Sequence, residues 1–236
     1  MTRTRLVRTA HGQARLHVDL APRSERALLV LGHGAGGGVG APDLAALADA
    51  LPARGISVVR VEQPWRVAGR RIATAPASLD AAWVRAVAVA GRLSPGAPLI
   101  VGGRSAGARV ACRCVEETAA RGVLALAFPL HPPNRPERSR AAELAVAPPL
   151  LVVQGERDAL GTPQELRRAL TQNLPARGSP GGSGRQLVVI PAADHGFGVP
   201  RRGPLTSSEV ASLIVEAVVG WMGDLGVFGP GRESSA

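Results

Sequence analysis

The sequence predicts an α/β fold with a mostly parallel central sheet, an antiparallel N-terminal edge and helices on both faces. Three observations carry this expectation. Short apolar, β-branched runs alternate with stretches of helical periodicity, the pattern of parallel strands joined by crossover helices. The first two strand-like runs depart from it by flanking a tight turn. A buried run near the middle of the chain ends in a glycine-flanked serine: Gly103, Arg104, Ser105, Ala106, Gly107.

Leu6 to Thr9 and Ala14 to Leu20 surround His11 and Gly12 and read as a hairpin at the sheet edge. Ala27 to Leu31 (ALLVL) is apolar throughout, as a strand covered on both faces must be, and runs into the glycine loop GHGAGGGVG. Pro42 stands at the first helical position of DLAALADALPARG, where Leu44, Leu47 and Leu51 recur at helical spacing. SVVRVEQP is the next strand, ASLDAAWVRAVAVAGRL the next helix, and PLIVGG (Pro98 to Gly103) a central strand followed by a helix from Ala106 to Arg121. The remainder repeats the unit. Strand VLALAFPL, the loop HPPNRPERSR, short helix AAELAVA, strand PLLVVQG, helix PQELRRALTQNL, strand QLVVIP and a helix from Ser207 to Leu225 follow in turn. Pro175 to Arg185 has the composition of a flexible loop. One domain over residues 1–225 and a flexible tail over 226–236 are expected.

The formal net charge is +10, and all 28 cations are arginine, scattered from Arg3 to Arg232. Nucleic-acid binders cluster their basic residues on one face, so no nucleic-acid partner is expected; compositional bias explains the arginines, with an anionic partner as the alternative. Arg135, Arg138 and Arg140, opposed only by Glu137, read as a solvated loop. No apolar run reaches the roughly 18 residues of a membrane span, and MTRTRLVRTA lacks the apolar core of a signal peptide. A cytoplasmic location without membrane contact is expected. Cys112 and Cys114 lie about 200° apart on a helix, which disfavours a mutual disulfide, and lack the partners of a metal site, so they read as packing residues.

The pentapeptide around Ser105 fits G-x-S-x-G, in which a strand turns sharply into a helix and presents a serine at the helix's positive end. Its glycines let strand and helix approach closely. A serine hydroxyl needs a general base and a carboxylate that orients the base. Two histidines follow Ser105. His195 comes directly after the strand QLVVI and is the expected base; His131 comes too early and is assigned to the pocket rim or to structure. Asp158, a few residues past a strand end, is the expected acid. Asp194 is the rival and Glu156 a distant third. Oxyanion donors are expected from Ala106 and from the glycine loop, at Ala35 or else Gly36. His33, Arg104, His131 and Phe197 are candidate substrate contacts, with a tie from the elbow to a neighbouring loop as the alternative for Arg104.

The glycine loop has a competing reading. Gly32, Gly34 and Gly37 also satisfy the dinucleotide pattern G-x-G-x-x-G, with Glu62 placed like a ribose-binding acid. That pattern needs the helix to start inside the glycines, whereas Val39 to Pro42 delay it by about a turn. No cofactor and no metal is therefore expected.

LGHGAGGG, GGRSAGARVA, FPLHPPNRPERSR, LLVVQGERDALGTP and ADHGF occur in the order found in one branch of the α/β-hydrolase superfamily. The chain resembles the dienelactone-hydrolase-like predicted hydrolases, a branch related to the testis-expressed hydrolase-like proteins and to an NSL-complex subunit. The resemblance spans Ala27 to Leu225 and implies a triad at Ser105, Asp158 and His195, no cofactor and a minimal cap. Two departures stand out. Asn134 replaces a common glycine, which bears on the shape of the pocket-side loop, and Ser105 stands where dienelactone hydrolases proper carry cysteine. The expectation is a serine hydrolase acting on a small acyl substrate through an acyl-enzyme. A catalytically silent binding or scaffold protein is the alternative, and a dinucleotide-dependent oxidoreductase a remote one.

Overall fold

In the computed structural model, which describes residues 2–22, 24–172 and 184–228, β1 (Arg3–Thr9) and β2 (Gly12–Asp19) form an antiparallel hairpin. Six further strands follow: β3 (Ala27–Gly32), β4 (Ile56–Glu62), β5 (Leu99–Arg104), β6 (Gly122–Leu126), β7 (Leu150–Gly155) and β8 (Arg185–Ile190). All eight join one sheet in the order β1-β2-β4-β3-β5-β6-β7-β8. β2 meets β4 antiparallel, and every neighbouring pair from β4 to β8 is parallel. The helices are α1 (Pro42–Ala50), α2 (Pro64–Val67), α3 (Pro76–Gly91), α4 (Ala106–Arg113), α5 (Val115–Thr118), α6 (Pro163–Gln172) and α7 (Ser207–Asp224). This is the α/β-hydrolase arrangement that the sequence predicts, with the hairpin at one edge and β5 near the middle.

Parallel strands need crossover connections, which put helices on both faces, so the inner strands must be apolar on both. β3 shows the consequence: Leu28 and Val30 enter one apolar layer, Leu29 and Leu31 the other, and none is more than 1% exposed. The first layer includes Trp83 and Ala86 of α3, Val110 and Ala111 of α4, and Leu166 of α6. Leu44 and Leu47 of α1 and Ile214 and Val218 of α7 belong to the second. Burying each such Leu, Ile or Val contributes about 1.5–3 kcal/mol, so the sheet is held from both sides.

Several boundaries differ from expectation, each for a local reason. The helix expected from Ala106 to Arg121 breaks at Cys114 (φ −102°), and α5 ends at Ala119 in a left-handed conformation (φ 52°). An unbroken helix would turn Cys112 and Cys114 to opposite sides, whereas the break buries both. Burial pushes both free thiols up to about 12. α1 gives way to a 3₁₀ turn at Pro52–Arg54, because Pro52 has no N–H for the helical ladder. The short helix expected at AAELAVA is a 3₁₀ turn, Ala141–Leu144, since Pro148 disfavours helix at Ala147. α2 is additional, with Pro64 at its first position.

Between β6 and β7, residues 127–149 carry only that 3₁₀ turn, so no lid domain is inserted there. Asn134 sits in this segment at φ 54°, a conformation glycine takes freely and asparagine tolerates. Of the loop expected at Pro175 to Arg185, residues 175–183 lie outside the described residues; Arg185 begins β8. Residues 229–236 of the expected tail also lie outside them. Among the described residues, no helix is long and apolar enough to cross a membrane.

Candidate active site

Ser105 follows β5 directly, at φ 52° and ψ −115°. A non-glycine residue there costs about 1–3 kcal/mol and persists only where its surroundings hold it. Two backbone bonds do so: Ser105 N–H donates to the Leu126 carbonyl (2.9 Å), and Arg109 N–H donates to the Ser105 carbonyl (3.2 Å). The turn also needs Gly103 and Gly107. A Cβ on Gly107 would collide with the Gly32 carbonyl, and one on Gly103 would lie 2.9 Å from the Gly32 nitrogen. Because the obstacle is backbone, Gly107→Ala is expected to lower the unfolding free energy by about 1–3 kcal/mol, read from urea denaturation.

His195 lies in the loop after β8, and Asp158 in the turn after β7. His195 Nδ1 is 2.7 Å from Asp158 Oδ2, and His195 Nε2 is 3.0 Å from Ser105 Oγ. The carboxylate only accepts, so Nδ1 carries the proton and Nε2 is left to accept from the serine hydroxyl. The Asp158 side chain is 0% exposed and that of His195 28%, so the line runs from the core to the surface.

Asp158 is held by more than the histidine. Its Oδ1 accepts from Leu160 N–H (2.8 Å), and its Oδ2 also accepts from Gln154 Nε2 (2.7 Å). Gln154, wholly buried at the end of β7, donates further to the Gly161 carbonyl (2.9 Å) and accepts from Phe128 N–H (2.9 Å). It therefore ties the acid turn to the exit of β6. Sequence reasoning missed Gln154, although one polar residue closing the apolar run LLVVQ was its signal. The rival carboxylates are engaged elsewhere. Asp194 Oδ1 accepts from Gly196 and Gly198 N–H (2.8 Å each), bracing its own loop, and Glu156 accepts from Ala192 N–H (2.7 Å).

Ala106 begins α4, so its N–H is one of the four without a helical partner. The loop after β3 passes over the serine: a Cβ on Gly34 would lie 3.4 Å from Ser105 Cβ. Ala35 and Gly36 form an exposed turn closed by Gly37 N–H donating to the Gly34 carbonyl (3.4 Å). Arg60 steadies the far end of the loop through the Val39 carbonyl (3.0 Å). Ala35 and Ala106 also border a tight apolar cavity of about 10 Å³, lined by Trp65, Leu79, Trp83 and Val110. That is room for about one water molecule.

The four candidate substrate contacts are held by bonds and packing within the protein. His33 is 3% exposed, with Nδ1 donating to the Gly34 carbonyl (2.8 Å), Nε2 accepting from Gln63 N–H (3.1 Å) and its ring edge-on to Trp65. It braces the loop from beneath, and burial holds its imidazole below the ordinary range. Arg104 points sideways, to Asp43 Oδ2 (3.0 Å) and the His195 carbonyl (2.8 Å). His131 is buried, with Nδ1 donating to the Pro132 carbonyl (2.9 Å) and its backbone N–H to the Leu160 carbonyl (3.0 Å). Phe197, at φ 57° and 6% exposed, joins the apolar layer that contains Ile190 and Ile214. The left-handed turn at Phe197 anchors the histidine loop in the core.

The dinucleotide reading of the glycine loop is not supported by this geometry. α1 starts at Pro42, well beyond the glycines, and Glu62 is engaged by Arg15 (2.9 Å) and His17 (3.2 Å). Among the described residues, no cluster of three or more His, Cys, Asp or Glu is arranged to hold a metal ion.

The fold recurs in solved structures. An alpha-beta serine hydrolase homologue from Coxiella burnetii superimposes with a TM-score of 0.72 at 18% identity, covering 92% of this chain and 97% of that one. A serine hydrolase without a lid from Xanthomonas campestris gives 0.68 at 20% identity, covering 93% and 94%. Est1E from Butyrivibrio proteoclasticus gives 0.71 at 13% identity, covering 93% and 99%. No curated protein matches the chain significantly. A family model described as alpha/beta hydrolase domain matches residues 25–223, most of the chain and the whole of the site, and the protein belongs to that family.

Proposed function

We propose that the protein is a serine hydrolase of carboxylesterase type, acting on small esters or other small acyl substrates. The observation that carries the reading is the unbroken hydrogen-bonded line from Ser105 through His195 to Asp158. Ser105 Oγ attacks the acyl carbon while His195 Nε2 takes its proton. The Asp158 carboxylate stabilises the resulting imidazolium and keeps its orientation. The oxyanion is met by the N–H of Ala106 and an N–H of the loop at Ala35 or Gly36. Collapse expels the alcohol with the proton from His195 and leaves an acyl-enzyme; water, activated by the same histidine, then releases the acid.

The serine hydrolases among its structural relatives support this reading, as does the resemblance to the dienelactone-hydrolase-like branch. Among the described residues no lid domain is inserted between β6 and β7, and an open site favours short acyl groups. The test is a p-nitrophenyl ester series: acetate and butyrate are expected to exceed palmitate at least about tenfold in kcat/KM. Failure of the folded protein to hydrolyse any member would refute the proposal.

A further inference from the structure

We propose that Arg104 is a positioning residue for this hydrolysis: its guanidinium, clamped by Asp43, holds the backbone of His195 at the reach Ser105 requires. The inference rests on the serine-hydrolase reading and concerns what sets the Ser105–His195 distance.

Arg104 is covalently next to Ser105, so its stem moves with the elbow. Its Nε donates to Asp43 Oδ2 (3.0 Å) and its Nη2 to the His195 carbonyl (2.8 Å), two directions of one rigid planar fork. The Asp43 side chain is 1% exposed and that of Arg104 14%. Asp43 sits in the first turn of α1, whose Leu44 and Leu47 are locked in the core. Burial pushes the Asp43 carboxyl above the usual range, and the facing Arg104 charge opposes that shift. The same side chain runs beside the glycine loop: Arg104 Cγ and Nη1 lie 3.7 and 3.6 Å from where a Cβ on Gly34 would stand. One residue thus connects the nucleophile turn, the start of α1 and the loop carrying the base.

The histidine loop needs such a tie. Its other braces act within the loop, as Asp194 does, or toward the acid side, through Glu156 and through Arg157 N–H donating to the Ala193 carbonyl (2.8 Å). Among the described residues, the Arg104 bond is the one hydrogen bond besides His195–Ser105 itself that joins this loop to the nucleophile side. Freed of it, His195 loses both its fixed distance to the hydroxyl and a steady Nδ1 bond to Asp158, and a misplacement of about 1 Å costs about 100-fold in rate.

The experiment compares wild type with Arg104→Ala and Arg104→Lys, counting competent sites by fluorophosphonate titration and expressing kcat per titrated site. Arg104→Ala is expected to lose about 10- to 100-fold in kcat per site with little change in KM, and to recover part of it in millimolar guanidinium. Lysine cannot hold both partners and is expected to fall between, which keeps the test readable if the alanine variant does not fold. A lower count of competent sites with unchanged kcat per site, or no rescue, overturns the proposal by making Arg104 merely structural. Proton NMR supplies an arm independent of turnover. The low-field Nδ1 proton of His195 is expected to be sharp in wild type and broadened in folded variants. A wild type without labelling or turnover defeats the hydrolase reading; an unchanged proton signal in the variants then defeats the positioning role as well.

Discussion

Ser105→Ala is expected to lower kcat toward a small ester by about 10⁶-fold, His195→Ala by about as much, and the double substitution by no more than either. The three outcomes belong together. Ser105 Oγ is a competent nucleophile only while Nε2, 3.0 Å away, can take its proton, and an isolated His195 has nothing to activate. Two independent contributors would instead multiply their losses. The residual rate left by the loop donors and Ala106, about 10³-fold over water, sets the floor. Purified variants with wild-type unfolding transitions, assayed on p-nitrophenyl butyrate, provide the comparison.

Asp158→Asn is expected to cost about 10⁴-fold in kcat, whereas Asp194→Asn stays within about threefold of wild type. The amide at position 158 can donate to Nδ1, which moves the imidazole proton to Nε2 and removes the acceptor that faces Ser105. Gln154 reinforces the asymmetry. Its Nε2, 2.7 Å from Asp158 Oδ2, already fills a donor's place beside that oxygen, so a second amide group crowds donor against donor. Asp194 only caps its loop through Oδ1, a bond that asparagine can also accept. Steady-state kinetics of the two variants, with thermal unfolding as a control, separate the carboxylates. Turnover lost in Asp194→Asn and kept in Asp158→Asn would reverse their roles.

The order of strands was legible because burial on two faces leaves continuous apolar runs such as ALLVL and LLVV, and crossovers leave helical periods between them. The elbow was legible because G-x-S-x-G combines a steric demand, visible in the collision of a Gly107 Cβ with Gly32, with a serine at the turn. What escaped was direction. His33, His131 and Phe197 lie in the right loops, yet each side chain turns inward: the histidines pair with backbone groups of their own surroundings, and Phe197 is rotated into the core by a left-handed turn. Sequence places a residue on a loop; the side to which it points depends on bonds to residues as distant as Gln63 from His33. Asp43 and Gln154 escaped for a related reason. An acidic residue at a helix start and a glutamine at a strand end each have an ordinary local explanation, and only the packed structure shows Arg104 and Asp158 against them.

The most direct measurement is mass spectrometry of the folded protein after exposure to a fluorophosphonate, which phosphonylates an activated serine with loss of fluoride. A single adduct is expected, on the peptide carrying Ser105, absent from Ser105→Ala and strongly slowed in His195→Ala. An unlabelled wild type, or an adduct on another residue that survives Ser105→Ala, would show that Ser105 is not the nucleophile.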